Sequence, residues 1–385
     1  MYNTVIIGAG PTGSYLALKL AELGHKVIVL EKKANVCQDI FCTGIIGKEC
    51  YDLLALNNSF PSRQANEATF FFPSNRHLRI WRDDEVAYIV DRPSLNRALA
   101  NQAQAKGVEY FLSTQATKFE SNNNCIQITA NRNSEKQIFE TETVVIATGY
   151  GSNLPANLNL GKIADFTIGA QAEVQTIDIN EVEIYLDQNL APGGFAWLVP
   201  TIDGKGLAGL MTRLQPEMYL NKFLAYLKTQ NKIISTEVIS NYEAIPLRPL
   251  PKTYADRILV VGEAAGQVKP ITGGGIYYGL ICADIAANII HQAFISGNFT
   301  AAYLSLYQKQ WRAKLGKELT AGYRARRLWA KLGNKRIEHL YNIARKKHIP
   351  ELITTTEHFS FDWHNQLFLQ LAHSLSPFAK HKKQL

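Results

Sequence analysis

An apolar run, Thr4-Val5-Ile6-Ile7, leads into Gly8-Ala9-Gly10-Pro11-Thr12-Gly13 and then into a helical stretch from Ser14 to Leu23. Strand, glycine turn and helix in that order commit the start of the chain to a Rossmann-type unit. Gly8 serves the tight turn, Gly10 the close approach of backbone to phosphate and Gly13 the packing of helix on strand, with Pro11 tolerated at the helix start. Unpaired N–H groups of that helix start face an anion. A second apolar strand, Val27 to Leu30, ends at Glu31, 18 positions after Gly13 and followed by Lys32. A carboxylate there binds adenosine ribose hydroxyls and favours a free 2′-hydroxyl over a phosphate.

About 250 positions later a second glycine region follows the apolar segment Arg257 to Val261: Gly262-Glu263-Ala264-Ala265-Gly266, then Pro270-Ile271-Thr272-Gly273-Gly274-Gly275. The first turn cradles a pyrophosphate and the second reaches the other end of the same cofactor, which indicates FAD. Glu263 is expected at the ribityl or pyrophosphate edge. A helix is expected to begin near Gly273, with Ile276 in its first turn. Its dipole, worth about half a positive charge, suits negative charge at N1 of a reduced flavin. Thr143 to Gly149 reads as a further strand, with Ala147 and Gly149 at its cofactor end.

Length and composition suit one enzyme-sized chain of 385 residues with two interleaved domains. The expected fold is α/β. A Rossmann-like FAD-binding domain takes 1–66, 91–162 and 250–297, and an inserted antiparallel-sheet substrate domain takes 67–90 and 163–249, leaving 298–385 as a basic helical region. Ala68 to Ile89 alternates like paired strands turning at Pro73-Ser74-Asn75, and Asp91 caps a helix that carries Leu95, Ala98, Leu99 and Ala103. Asn122-Asn123-Asn124 marks a polar turn, and the tail holds Phe359, Phe361, Trp363 and Phe368.

The net charge of +8 is local: residues 312–348 hold 12 Lys or Arg against 2 acids. Such a stripe suits nucleic acid or anionic lipid, or simply a solvated helical face. Five cysteines without a C-x-x-C pair fit a reduced cytoplasmic setting, and nine histidines without ligand spacing suggest no metal. The early start of the cofactor strand leaves no room for a signal peptide. Ile276 to Ile295 is apolar but contains Asp284, Asn288, His291 and Gln292, so it reads as a packed helix.

Cys42-Thr43-Gly44, Pro192-Gly193-Gly194-Phe195-Ala196-Trp197-Leu198-Val199-Pro200 and Gly262 through Gly275 together give a specific likeness. With the N-terminal turn and Asp91-Arg92, the chain resembles the geranylgeranyl reductase family, within the larger flavoprotein group that includes para-hydroxybenzoate hydroxylase. The likeness spans about Met1 to Asn288 and covers the basic C-terminal third only loosely. Relatives usually carry aspartate where this chain has Glu263.

The resemblance implies hydrogenation of isolated double bonds in a geranylgeranyl chain on a lipid, quinone or related isoprenoid. Hydride comes from N5 of reduced flavin and a proton goes to the neighbouring carbon. Cys42 is implied near the reactive face of the ring, as a steric or proton-donating group, with Gly44 and Arg92 at the cofactor. Phe195 and Trp197, two apart on one strand, share a face and would hold the chain with Pro200, or else form ordinary sheet core. Electrons would come from NADPH or a ferredoxin-like iron–sulfur carrier. The basic stripe would rest on an anionic membrane at its cytoplasmic face, and no nucleic acid is expected. A flavin monooxygenase or halogenase and a non-catalytic membrane-associated flavoprotein are the other readings.

Overall fold

The computed structural model describes residues 1–56, 59–122, 124–356 and 360–363. Asn123 of the expected polar turn, and Phe359 and Phe368 of the tail, lie outside them.

Five parallel strands form the heart of the first sheet, in the order Ile258–Val260, Glu135–Ile146, Tyr2–Ile7, Val27–Leu30 and Glu109–Phe111. Val5–Ile7, Val27–Leu30, Val144–Ile146 and Ile258–Val260 are unbroken apolar runs because both faces of the sheet are covered there. Ile6, flanked by Val145 and Val29, faces the helices Pro11–Glu22, Arg92–Ala105, Ile276–Ser296 and Ala301–Trp329. Val5, Val144 and Ile28 face the antiparallel meander of Thr114–Ser121, Ile126–Arg132 and the outer half of Glu135–Ile146. Asp91 caps its helix as expected, accepting the Ser94 N–H at 2.8 Å.

The second sheet has seven strands, ordered Ser240–Pro246, Phe166–Gln175, Lys205–Thr212, Ala196–Pro200, Val182–Tyr185, Glu67–Phe71 and His77–Trp81. It departs from the expected antiparallel sheet at one pair, Val182–Tyr185 with Glu67–Phe71, which runs parallel. The chain passes back through the first unit between those two strands, so no hairpin turn joins them. Helix Pro216–Thr229 covers one face through Leu220, Phe223 and Leu224. The other face, through Trp197, Val199, Met211 and Ile245, meets Ile89 and Val268 of the cofactor unit.

Ala87–Val90 does not extend the Glu67–Phe71/His77–Trp81 hairpin. It forms a separate three-stranded sheet between Ile45–Gly47 and Ser62–Gln64, two strands with no clear signal in the sequence. Helix Ile276–Ser296 has a mean hydropathy of 1.3, enough to cross a membrane by length and composition. Here it packs inside the fold through Leu280, Ala283, Ala286 and Ile290.

The C-terminal third corrects the picture of a free amphipathic stripe. Ile337 of helix Asn334–Lys346 is fully buried against Phe72 and Leu78 of the hairpin, with Trp329, Leu332 and Tyr341 packed around it. Arg326 is buried as well. Arg324, Arg327, Lys331, Lys335 and Arg336 remain exposed, with Leu328 and Leu340 beside them.

Candidate active site

The first glycine turn separates two kinds of glycine. A Cβ on Gly8 would lie 2.5 Å from the Ala147 carbonyl oxygen and one on Gly13 2.0 Å from that of Gly8, so these two are required by the protein's own packing. A Cβ on Gly10 would meet nothing within 4 Å. That open space is the cradle, since Gly10 has an ordinary φ of −66° and no side chain caps the helix it precedes. The bare N–H groups of this helix start point at whatever occupies the space.

Glu31 stands ready beside the cradle. Its carboxylate accepts the Ala9 N–H at 2.8 Å and the Lys33 N–H at 2.9 Å, which fixes it at the end of its strand. Lys32 beside it is exposed.

Thr12 joins the two glycine regions, a contact that sequence reading missed. A Cβ on Gly262 would meet Thr12 Oγ1 at 2.9 Å, and one on Gly279 would meet it at 2.2 Å. Both glycines therefore let the second region close onto the first helix. Gln267 then fixes the turn: its Oε1 accepts the Gly262 N–H at 2.7 Å and its Nε2 donates to the Tyr307 hydroxyl at 2.9 Å.

The helix after the triple glycine starts at Ile276, not near Gly273. Gly273 has a φ of +76°, which ends regular structure there, and Gly275 is the N-cap without a side-chain cap. This second bare helix start faces the apolar side of the second sheet: a Cβ on Gly273 would lie 3.2 Å from Met211 Sδ and 3.4 Å from Ile245. The turn also carries a buried ion pair, Lys269 with Asp362, and Lys269 donates its N–H to the Gly274 carbonyl at 3.0 Å. Burial pushes the Asp362 carboxyl up, against the pull of Lys269.

Glu263 lies in the short turn Gly262–Ala265, its carboxylate 3.8 Å from where a Cβ on Gly149 would stand. Burial and the nearby Glu243 raise its carboxyl from 4.5 to about 8. A folded-state value above the unfolded one means that the folded apoprotein holds an extra proton. The stability this supplies is complete below about pH 4.5 and is lost as pH rises through about 8. The apoprotein melting temperature should therefore fall from about pH 6 to about pH 8.5, and Glu263→Gln should flatten most of that slope; an unchanged slope would show that other groups set it.

Arg92 is buried below the Cys42 loop, with Nε and Nη1 lacking any partner among the described residues. A Cβ on Gly44, whose φ is +76°, would lie 3.7 Å from Arg92 Cγ and 2.6 Å from the Val90 carbonyl oxygen. The Gly44 N–H points at Cys42 Sγ at 3.4 Å. Gln171, another residue not anticipated, ties this loop to the sheet by donating to the Cys42 carbonyl at 3.4 Å and accepting the Trp197 indole N–H at 3.3 Å.

Phe195 and Trp197 do share a face, their ring centroids 5.8 Å apart. Trp197 lies flat over Gly209, where a Cβ would sit 2.6 Å from its ring. Pro200 is not brought to them. Strand alternation places it with Ala196 and Leu198, toward helix Pro216–Thr229.

The open space at Gly10, the Glu31 carboxylate beside it, a second bare helix start and the unpartnered Nε and Nη1 of Arg92 fit FAD, and the fold is that of an FAD-dependent oxidoreductase. The residues that would hold it are Gly8, Gly10, Pro11, Gly13, Glu31, Arg92, Ala147, Gly149, Glu263 and the Gly273–Ile276 turn.

Residues 2–178 match the family model described as pyridine nucleotide-disulphide oxidoreductase. The chain is 30% identical over 350 residues to a digeranylgeranylglycerophospholipid reductase of Methanocella arvoryzae, covering 86% of this chain and 88% of that one. It is 27% identical over 372 residues to the protein of that name from Methanocaldococcus jannaschii, covering 92% and 95%. Its fold matches the crystal structure of a geranylgeranyl bacteriochlorophyll reductase-like protein from Thermoplasma acidophilum with a TM-score of 0.84 at 19% identity, over 97% and 96% of the two chains. The chain belongs to the geranylgeranyl reductase family.

Proposed function

We propose that this enzyme hydrogenates isolated double bonds in the prenyl chains of a glycerophospholipid. The observation that carries this reading is the apolar face of the second sheet, Trp197, Val199, Met211 and Ile245, laid directly against the triple-glycine turn. Glu243, two residues from Ile245 on the edge strand Ser240–Pro246, is the carboxylate at the border of that face, and the apolar middle of the face suits a prenyl chain. Each buried methylene of such a chain contributes about 0.8 kcal/mol.

An isolated alkene has no electron sink, so hydride and proton must reach its two carbons in concert with some positive charge on carbon. Reduced FAD, when bound, supplies the hydride. Phe195 and Trp197 present ring faces that temper the cationic charge. The Cys42 thiol, held by Gly44 and by Gln171 through the loop carbonyl, carries a proton at the edge of the same face. NADPH or a small iron–sulfur carrier restores the flavin; the chain has a single dinucleotide fingerprint, which favours a donor that docks transiently.

Mass spectrometry of lipids from cells with and without the protein tests the reading. Prenyl chains heavier by two hydrogens per reduced bond are expected only with the protein present. Identical lipid profiles contradict the proposal.

The exposed cations Arg324, Arg327, Lys331, Lys335 and Arg336, with Leu328 and Leu340, support docking on an anionic membrane through which such a lipid is reached. Flotation with anionic vesicles should weaken when those five are neutralised. Equal flotation with neutral vesicles counts against it.

A further inference from the structure

Three buried cations surround the proposed site, and their partners differ. Lys269 is paired with Asp362, and Arg92 lies below the Cys42 loop beside Gly44. Arg326 is 5% exposed, its carbonyl accepts the Ala330 N–H within the helix, and its guanidinium has no hydrogen-bond or ion-pair partner among the described residues.

Helix Ala301–Trp329 holds it in place. One turn before, Gly322 lets the helix rest on the second glycine region, since a Cβ there would lie 3.2 Å from Pro270 Cδ. One turn after, Trp329 donates its indole N–H to the Gly194 carbonyl at 2.7 Å. Arg326 thus sits over the seam between the turn that leads to Gly273 and the turn that leads to Phe195. Its Nη2 is 3.5 Å from where a Cβ on Gly194 would stand.

Charge at this seam is unbalanced. Asp165 is the carboxylate that acts on Arg326, but it already accepts Arg213 at 2.6 Å and the Tyr323 hydroxyl at 2.8 Å. Arg213 repels Arg326, and Arg248 stacks over the Tyr323 ring at 5.3 Å. Burial and Arg213 push the Arg326 guanidinium down to about 10, which leaves it charged at neutral pH. A buried cation whose nearest carboxylate is already engaged by Arg213 and Tyr323 is costly, and the cost falls when an anion arrives.

We propose that Arg326, with Arg213 beside it, binds the phosphate at the polar end of a prenyl lipid, so that the polar end is held at the seam while the chain lies along the Phe195–Trp197 face. This rests on the prenyl reading above. A guanidinium fork matches two phosphate oxygens and fixes the position of the group as well as its charge. The head group then sets which stretch of the chain lies against the triple-glycine turn.

Equilibrium binding to the FAD-loaded protein tests this, with geranylgeranyl phosphate, geranylgeraniol and inorganic phosphate as probes. The wild type should bind geranylgeranyl phosphate at least about tenfold more tightly than geranylgeraniol. Arg326→Met should bring that preference close to unity, with geranylgeraniol affinity and FAD content unchanged. Arg213→Gln, at a half-exposed side chain, should lower the preference severalfold, and it decides the matter if the Arg326 variant does not fold. A preference that survives both substitutions overturns the proposal, as does inorganic phosphate binding that leaves prenyl phosphate and alcohol equivalent. Wild-type protein that binds neither prenyl probe overturns the prenyl reading itself; equal binding of both overturns only the phosphate site.

Discussion

Asp362→Ala should destabilise the protein by about 3–5 kcal/mol in a denaturant titration and release FAD at lower denaturant than the wild type. Asp362 is 1% exposed and Lys269 4% exposed, so removing the carboxylate strands an ammonium in the core. That ammonium packs over the Phe361 ring at 5.0 Å, and its backbone supports the triple-glycine turn on both sides, through the Gly274 carbonyl and the Gly273 N–H. Lys269→Met combined with Asp362→Leu removes both charges together and should recover most of the loss, because desolvating the pair offsets much of its attraction. Equal destabilisation by the single and double variants would show that shape, not charge, is at issue. Gly47 belongs to the same arrangement: a Cβ there would lie 2.1 Å from Asp362 Oδ2, so Gly47→Ala expels the aspartate.

Gly10→Ala and Gly13→Ala should fail in different ways. Gly10 borders open space and has a φ that alanine adopts, so the apoprotein should melt as the wild type does. The added methyl group occupies the place of the pyrophosphate, and FAD affinity should fall by ~100-fold or more, about 3 kcal/mol. Gly13→Ala drives a methyl into the Gly8 carbonyl, a backbone atom that cannot swing aside, and should destabilise the apoprotein by ~3 kcal/mol. Calorimetry of apoprotein and titration with FAD separate the two. Unchanged FAD affinity in Gly10→Ala would remove the cradle.

The parts of this site that were legible in the sequence are those where backbone must approach something closely. Gly8, Gly10 and Gly13 could be assigned separate duties because each spacing has one geometric use, and the clashes at Gly8 and Gly13 match those duties. The shared face of Phe195 and Trp197 followed from a period of two, and the same period carries Pro200 to the opposite face. The helix start shifted from Gly273 to Ile276 because three glycines in a row permit a left-handed turn before the helix begins.

Long-range polar pairing was not legible. Asp362 is 93 positions from Lys269, and nothing local in an aromatic tail marks one acid as buried. Gln171 left a faint mark, as a polar residue in the buried middle of its strand, at a position that links Cys42 to Trp197. Arg326 was hidden among neighbours of the same charge. Its clue was Gly322, one turn earlier, a small residue that lets the helix press against another part of the chain.

Reduced flavin in this fold is expected to transfer its hydrogen to an unactivated alkene. The most direct test mixes the reduced, FAD-loaded protein with a geranylgeranyl glycerophospholipid in anoxic buffer and follows flavin absorbance together with lipid mass. Reoxidation without oxygen is expected, in step with a gain of two hydrogens per flavin by the lipid. A flavin that stays reduced until oxygen enters, with the prenyl chain unsaturated as before or oxygenated, contradicts it.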